Sequence, residues 1–436
     1  MTSFDPGPAG LLDELRWRGM FHAASDGLEA RLATGRPISG YNGFDPSGPS
    51  LHIGHLVPIF GLIQFQRHGG RPFPLVGGGT GMIGDPSGRS SERNLLDRDT
   101  LAGNAEAIRA QLAHFLDFEG PGGAVMVNNL DWLEPLTVIG FLRDVGKHFT
   151  VPYMLAKDSV QVRLDRGLSF TEFSYMLLQS ADFAHLHREM GVELQMGGAD
   201  QWGNMTAGLE LIRRTSPGDG DGEGRGGREP AFALAYPLLL SPSGAKFGKS
   251  EVGEAVWLDP AMTSPFAFYQ HWLNTDDRDV GVYLRWFTTM LPDEIEALDG
   301  EVAARPGARA AQRSLALDIT ARTHGADVAA QVAADSVALF APEPIRDPSL
   351  LARLWGSVGG FNLDPVAAEA GAAVALASAG LFSSNGEARR MIQNGGLTVN
   401  GEPIRDAAAP LPPPIDGTWW EVRIGRRRRE LGRLTR

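Results

Sequence analysis

The chain has 436 residues, 43% hydrophobic and 21% charged, with a formal net charge of −12. That is too long for one ordinary core, so roughly two or three domains of a soluble globular protein are expected, and the acidic balance argues against indiscriminate nucleic-acid binding. There is no cysteine, which removes disulfides, thiolate metal sites and cysteine nucleophiles and suits a reducing cytosol.

No apolar run reaches the ~20 residues of a membrane span. Met1 to Gly10 lacks a basic segment followed by an apolar one, so a cytoplasmic protein with no membrane partner is predicted. Residues 11–34 place Leu11, Leu12, Leu15, Trp17, Leu28 and Leu32 at helix-like spacing among charges. Ile38 to Phe44 reads as a strand entering a glycine-punctuated loop, Leu51 to Gln66 as a helix ended by Gly69-Gly70, and Pro72 to Gly78 as a second, buried strand. Strand, loop, helix, strand opens an α/β wound fold, whose ligands bind beyond the carboxyl ends of the strands.

Helical patterns over Leu101 to Phe118 and Glu134 to Phe149 read as an insertion between two halves of the sheet. Val192–Leu194 and Pro237–Leu240 look strand-like, and Ser216 to Arg228 is a glycine-rich charged stretch expected to be a mobile loop. Ala261 to Val337 repeats helical patterns, and Pro342 to Asn362 reads as a linker. The last segment alternates short helices and strands: Val366–Ala379, Ser384–Gln393, Leu397–Val399 and Thr418–Ile424. Residues 363–436 carry ten Arg and eight Asp+Glu, hence +2 against −14 for everything before them. A locally basic module on an acidic body suits RNA docking at one place; a solvated charged tail is the plainer reading.

Four stretches carry the chemistry. His52 and His55 sit three apart at a loop-to-helix junction, where i and i+3 share a face and free N–H groups favour a phosphate. Alone, two surface histidines or a metal site would serve as well. Lys246 and Lys249 flank Gly248, so two ammonium groups on a loop could stabilise charge that develops only in a transition state; a solvated loop is the alternative. Thr80 to Arg89, followed by Arg93, is a turn carrying Asp85 that could hold an ammonium or a ribose, with arginines for a pyrophosphate. Gln195 to Asn204 places Gly197-Gly198 and Asp200 after a strand, which permits close backbone approach and a ribose contact, or is a plain turn.

In this order, Leu51-His52-Ile53-Gly54-His55 and Lys-Phe-Gly-Lys-Ser at 246–250 resemble the HIGH and KMSKS signatures of class I aminoacyl-tRNA synthetases. With Tyr-x-Gly-Phe-Asp-Pro from Tyr41, Gly-Asp-Pro-Ser-Gly from Gly84, Gln-x-Gly-Gly-x-Asp-Gln-Trp-Gly-Asn from Gln195, and Tyr175, Gln179 and Asp182 along one helix face, the chain is identified as a member of the bacterial-type tyrosyl-tRNA synthetases. The resemblance implies activation of L-tyrosine by Mg²⁺-ATP to tyrosyl-adenylate and pyrophosphate, then transfer to the 3′ end of tRNA, with no protein nucleophile and no tightly held metal. It implies that Tyr41 and Asp182 bond the phenol, that Asp85, Tyr175 and Gln179 hold the ammonium, and that Gln201 faces the carboxyl. Gly54, His55, Gly198 and Asp200 would lie along the adenosine, with Ser47 and His52 at the γ-phosphate side. Arg89, Arg93, Lys246, Lys249 and Ser250 would attend the leaving group. Family members often carry threonine at 47 and lysine at 89; serine keeps the hydroxyl and arginine the charge. Rejecting phenylalanine through hydrogen bonds to the phenol is a logic for which this family is itself the standing example.

The implied architecture is a Rossmann-like parallel-sheet catalytic domain with a helical insertion over 1–250, an α-helical tRNA-contacting domain over 251–345, and a linker at 346–362. A small α+β S-four-type RNA-binding domain follows over 363–436, with Arg389 and Arg390 toward RNA. A homodimer is implied too, with Leu130 to Leu164 at its interface. The rivals are a tryptophanyl-tRNA synthetase of the same class, against which Tyr41 with Asp182 and the terminal segment argue, and a catalytically inactive RNA-binding or regulatory relative.

Overall fold

The computed structural model describes residues 10–85, 96–164, 167–215, 230–239, 255–425 and 428–435. The chain divides into two compact units, Met1–Met262 with Thr275–Leu315, and Thr263–Asn274 with Ala316–Arg436.

In the first unit, β1 (Ala23–Ala24), β2 (Ser39–Phe44), β3 (Arg71–Val76), β4 (Val127–Asn128), β5 (Leu194–Gly198) and β6 (Phe232–Tyr236) form one sheet in the order β1-β6-β5-β2-β3-β4. All neighbours from β6 to β4 are parallel, and only the edge pair β1–β6 is antiparallel. The expected wound α/β fold is therefore present, as a mixed sheet. Every residue of β6, Phe-Ala-Leu-Ala-Tyr, is buried, as a parallel strand covered on both faces requires. Pro72 and Pro74 are tolerated in β3 because Arg71 N–H bonds back toward Ile38, so the alternate residues face the other side, where β4 spans only two residues.

The helix Leu56–Arg67 is apolar nearly all round, and Leu56, Ile59, Phe60 and Leu62 are completely buried. The stretch expected as one helical run over 11–34 is two helices, Leu11–Arg18 and Leu28–Ala33, with β1 between them. Gly19, left-handed at φ 73, ends the first. The strand expected at Pro237–Leu240 lies just earlier, at Phe232–Tyr236.

The domain division differs from the expected one in the helical part. Residues 275–315 go with the catalytic unit because buried Arg18 donates to the carbonyls of Arg285 at 2.7 Å, Thr288 at 3.0 Å and Met290 at 2.9 Å. Phe287 also packs edge-on against Phe60, ring centroids 5.8 Å apart.

The second unit holds the helices Pro265–Leu273, Ala326–Phe340 and Pro348–Val358, then a five-stranded sheet. Its strands are β7 (Phe361–Leu363), β8 (Leu397–Val399), β9 (Glu402–Pro403), β10 (Trp419–Ile424) and β11 (Arg428–Leu434), in the order β7-β11-β10-β8-β9. The segment expected as a linker contains the helix Pro348–Val358, capped by Asp347 and burying Leu351 and Leu354. Asn400 and Gly401, at φ 53 and 81, make the two-residue hairpin between β8 and β9. Ala375, Leu376, Ala388 and Ile392 from the helices meet Leu397, Val399, Trp420 and Val422 from the sheet in one core.

Candidate functional site

From β2 the sheet grows one way through β3 and β4 and the other way through β5 and β6. That reversal opens a crevice beyond the carboxyl ends of β2 and β5, where wound α/β sheets take ligands. A cleft of about 800 Å³ lies there, lined by Tyr41, Ser47, His52, Gly54, His55, Asp85, Tyr175, Gln179, Asp182, Gly198, Asp200 and Gln201 among others. Residues from stretches as distant as 41 and 201 in sequence thus share one wall.

One end is built around two buried groups. Tyr41, from β2, is 2% exposed, and its Oη finds no hydrogen-bond partner among the described residues. Burial, with Asp182 nearby, pushes its pKa well above the ordinary phenol value, so it stays protonated. Asp182, from the helix Phe170–Met190, accepts from Trp132 Nε1 at 2.7 Å and from Asn129 Nδ2 at 2.9 Å. Burial drives its carboxyl up to about 7 although those two donors and their geometry favour the ion. A buried hydroxyl without a partner next to an acceptor under strain to ionise suits a ligand hydroxyl between them. Gln195 Oε1 and Asn42 Oδ1, which also line the cleft, are buried with no partner among the described residues.

Beside this end runs a polar network. Tyr175 Oη donates to Asp45 Oδ2 at 2.9 Å, and Thr80 Oγ1 donates to Asp45 Oδ1 at 2.7 Å. Asn129 Nδ2 donates in turn to Thr80 Oγ1 at 2.9 Å, which ties this carboxylate to Asp182. A Cβ at Gly77 would stand 2.1 Å from Asp45 Oδ1 and 2.5 Å from Thr80 Oγ1, so the bond between them needs glycine there. Across the cleft Gln201 Nε2 donates to Asp85 Oδ2 at 2.6 Å, while Asn204 Nδ2 donates to Gln179 Oε1 at 3.0 Å and Gln201 Oε1 at 3.1 Å. Asp45 and Asp85 give this part of the wall a negative charge suited to a cation.

The histidines sit differently from the expected helix face. His52 precedes a single 3₁₀ turn, Ile53–His55, and the α-helix begins at Leu56. His52 Nδ1 accepts the N–H of Gly54 at 3.0 Å, His55 Nδ1 accepts the N–H of His52 at 3.1 Å, and the rings lie 4.1 Å apart. Both Nδ1 atoms being acceptors, the tautomer with the proton on Nε2 is selected, which makes each Nε2 a donor. That arrangement suits an anion.

His52 also bridges to Trp257, and Ile53 N–H donates to Val256 O at 2.9 Å. Leu239 and Ala255 both line the cleft, with residues 240–254 between them in the sequence. Lys246, Lys249 and Ser250 fall in that interval and, like Arg89, Arg93 and the glycine-rich stretch Ser216–Arg228, lie outside the described residues. Arg389 and Arg390 are exposed on the helix Asn385–Gln393 of the second unit. Among the described residues no group of three or more His, Cys, Asp or Glu could hold a metal ion, and no helix is long and apolar enough to cross a membrane.

Sequence reasoning gave Asp45, Asn129 and Trp132 no role. Asp45 was within reach, as an acid at a strand end inside Tyr-x-Gly-Phe-Asp-Pro. Asn129 and Trp132 carry no such signal, because only the folding of the insertion brings them to Asp182.

The family model of class I tRNA synthetases (W and Y) matches residues 33–341, and that of the S4 domain matches 373–413. The chain is 48% identical over 433 residues to a tyrosine–tRNA ligase of Roseiflexus castenholzii, covering 97% of this chain and 99% of the relative. It is 50% identical over 403 residues to one of Anaeromyxobacter dehalogenans, covering 92% and 93%. Among solved structures it is similar to a C-terminally truncated mitochondrial tyrosyl-tRNA synthetase of Aspergillus nidulans, with a TM-score of 0.67, 28% identity, and coverage of 76% of this chain and 94% of that one.

Proposed function

The chain belongs to the class I tyrosyl-tRNA synthetases, ligases that join tyrosine to tRNA using ATP, and from that premise we propose how its own residues divide the work. Tyr41 and Asp182 bond the phenol of tyrosine. Asp85, Tyr175 and Gln179 hold its ammonium, with Asp45 fixing the Tyr175 hydroxyl, and Gln201 faces the carboxylate that attacks the α-phosphate. Gly54, His55, Gly198 and Asp200 lie along the adenosine. Ser47 and the Nε2 donor of His52 meet the far phosphates, and Arg89, Arg93, Lys246, Lys249 and Ser250 neutralise pyrophosphate as it leaves. Mg²⁺ enters with ATP as part of the substrate.

The observation that carries this reading is the shared cleft: groups suited to a phenol, to a cation and to a polyanion all line it. Positioning and charge stabilisation then do the chemistry without a protein nucleophile. Arg389 and Arg390 on the S4 module and the helical part of 251–345 contact tRNA, and the chain works in the cytosol. Val138, Ile139, Val151, Val162 and Phe170 are each more than half exposed, an apolar surface that fits a homodimer interface.

Pyrophosphate-exchange kinetics test the division. Asp85→Ala and Gln179→Ala should raise the KM for tyrosine and leave that for ATP within about twofold. Ser47→Ala should lower kcat with tyrosine KM unchanged. If the Asp85 and Gln179 variants raise the ATP KM instead, the assignment of the two ends is wrong.

A further inference from the structure

Two of the arginines near the chain's end are spent inside the protein. Arg423, on β10, donates to the carbonyls of Ala341 and Glu343, each at 2.7 Å, and also to that of Pro342. Arg429, on β11, donates to Ala338 O and Ala341 O at 2.8 Å each and to Glu343 O at 2.7 Å. Both pair with Glu421 Oε1, at 3.0 and 2.8 Å, and that carboxylate is wholly buried while the Arg429 side chain is only 4% exposed. The carbonyls belong to the last turn of the helix Ala326–Phe340 and the residues that follow it. A helix end presents carbonyls without intrahelical partners and a partial negative charge, and a planar guanidinium can bond several at fixed angles. Arg423 and Arg429 face each other across the β10–β11 ladder, so one pair of neighbouring strands grips one helix end.

We propose that Arg423 and Arg429, balanced by Glu421, are positioning residues for aminoacylation: they fix the S4 module to the helix Ala326–Phe340 and so set where a bound tRNA lies. The proposal rests on the reading that this module binds tRNA. It removes Arg423 and Arg429 from the set that could contact phosphate and leaves Arg389 and Arg390 in it.

The test uses the full chain with Arg423→Gln/Arg429→Gln, and Arg423→Gln alone should the double variant fold poorly. Tyrosine-dependent pyrophosphate exchange should stay within twofold, while the KM for tRNA in charging rises about tenfold. The slope of log affinity for tRNA against log salt should stay constant, since no phosphate contact is lost; Arg389→Gln/Arg390→Gln should flatten it. The absence of native cysteine allows spin labels at Val337→Cys and Val366→Cys, both strongly exposed positions. Their distance distribution should be narrow in the parent and broad in the double variant. A distribution that stays narrow, or a salt slope that flattens by about one per arginine removed, overturns the clamp. Broadening with an unchanged KM for tRNA overturns the positioning role while leaving the clamp standing, and an unchanged salt slope in Arg389→Gln/Arg390→Gln overturns the RNA reading beneath it.

Discussion

His55 Nδ1 accepts the backbone N–H of His52 at 3.1 Å, so the second imidazole holds the first in register with the cleft. His52 has two separable tasks under this proposal: its Nδ1 caps the turn at Gly54, and its Nε2–H is assigned to the phosphates. His52→Asn keeps an acceptor for the cap, but its shorter amide does not place a donor where the imidazole Nε2–H stands. It should lower the activation rate about a hundredfold, as removal of a donor to a developing oxyanion does, with tyrosine affinity unchanged. His52→Ala should show the same rate loss and about 1 kcal/mol less stability. Stopped-flow activation with urea unfolding separates the effects; equal rates for Asn and the parent would mean that only the cap matters.

Among the described residues the buried Tyr41 hydroxyl finds no partner, and the proposal gives it the phenol of tyrosine. Tyr41→Phe should therefore stabilise the free protein by about 1 kcal/mol, because a buried unsatisfied group is removed. The same change should cut the preference for tyrosine over phenylalanine about tenfold, one hydrogen bond's worth. Thermal unfolding and kcat/KM for both amino acids check it; unaltered selectivity would take Tyr41 away from the phenol.

Asp182 makes the site pH-sensitive. Its folded pKa, about 7, stands above the ordinary 3.8 because of burial, so the folded state holds a proton that the unfolded chain has released. The group's contribution to stability is full below about pH 4 and is lost as pH rises through about 7. Tyrosine binding runs the other way, since an ionised carboxylate accepts a phenol O–H more strongly than a neutral carboxyl does. The dissociation constant should rise below pH 7, by at most about tenfold per pH unit, and Asp182→Asn should abolish the dependence. Equilibrium dialysis from pH 5.5 to 8.5 would show it, and a flat profile in the parent would exclude Asp182 as the titrating contact.

Arg18 is 1% exposed, bonded to Glu14 at 2.7 Å and to three carbonyls of 285–290. Arg18→Met fills the space but leaves these acceptors without their donor, and should cost about 3 kcal/mol. A lower urea midpoint with unchanged KM values is expected; an unchanged midpoint would mean that this arginine does not tie 275–315 to the catalytic unit.

Much of the cleft's lining was legible because the candidate residues travel in short runs. His52 and His55, Asp85, Gly198 with Asp200, and the 175–182 helix face each announced themselves locally. What stayed hidden depends on distant packing. Asn129 and Trp132 reach Asp182 only through the folded insertion, and Arg18 looked like any charge on an amphipathic helix. The helix Pro348–Val358 was obscured by the Pro, Gly and Asp around it, though Asp347-Pro348 is a cap followed by a proline in the first turn. The crowd of arginines at the end read as one basic surface. Their alternation along β10 and β11 instead sends Arg423 and Arg429 inward to Glu421.

The central claim is that one cleft receives a phenol at its Tyr41–Asp182 end and a triphosphate at its histidine end. Exchange of labelled pyrophosphate into ATP, run separately with each of the twenty amino acids, tests it most directly. Tyrosine alone should support exchange, and Lys249→Ala should depress it strongly while sparing tyrosine affinity. Exchange driven by tryptophan, or none with any amino acid, would contradict the account.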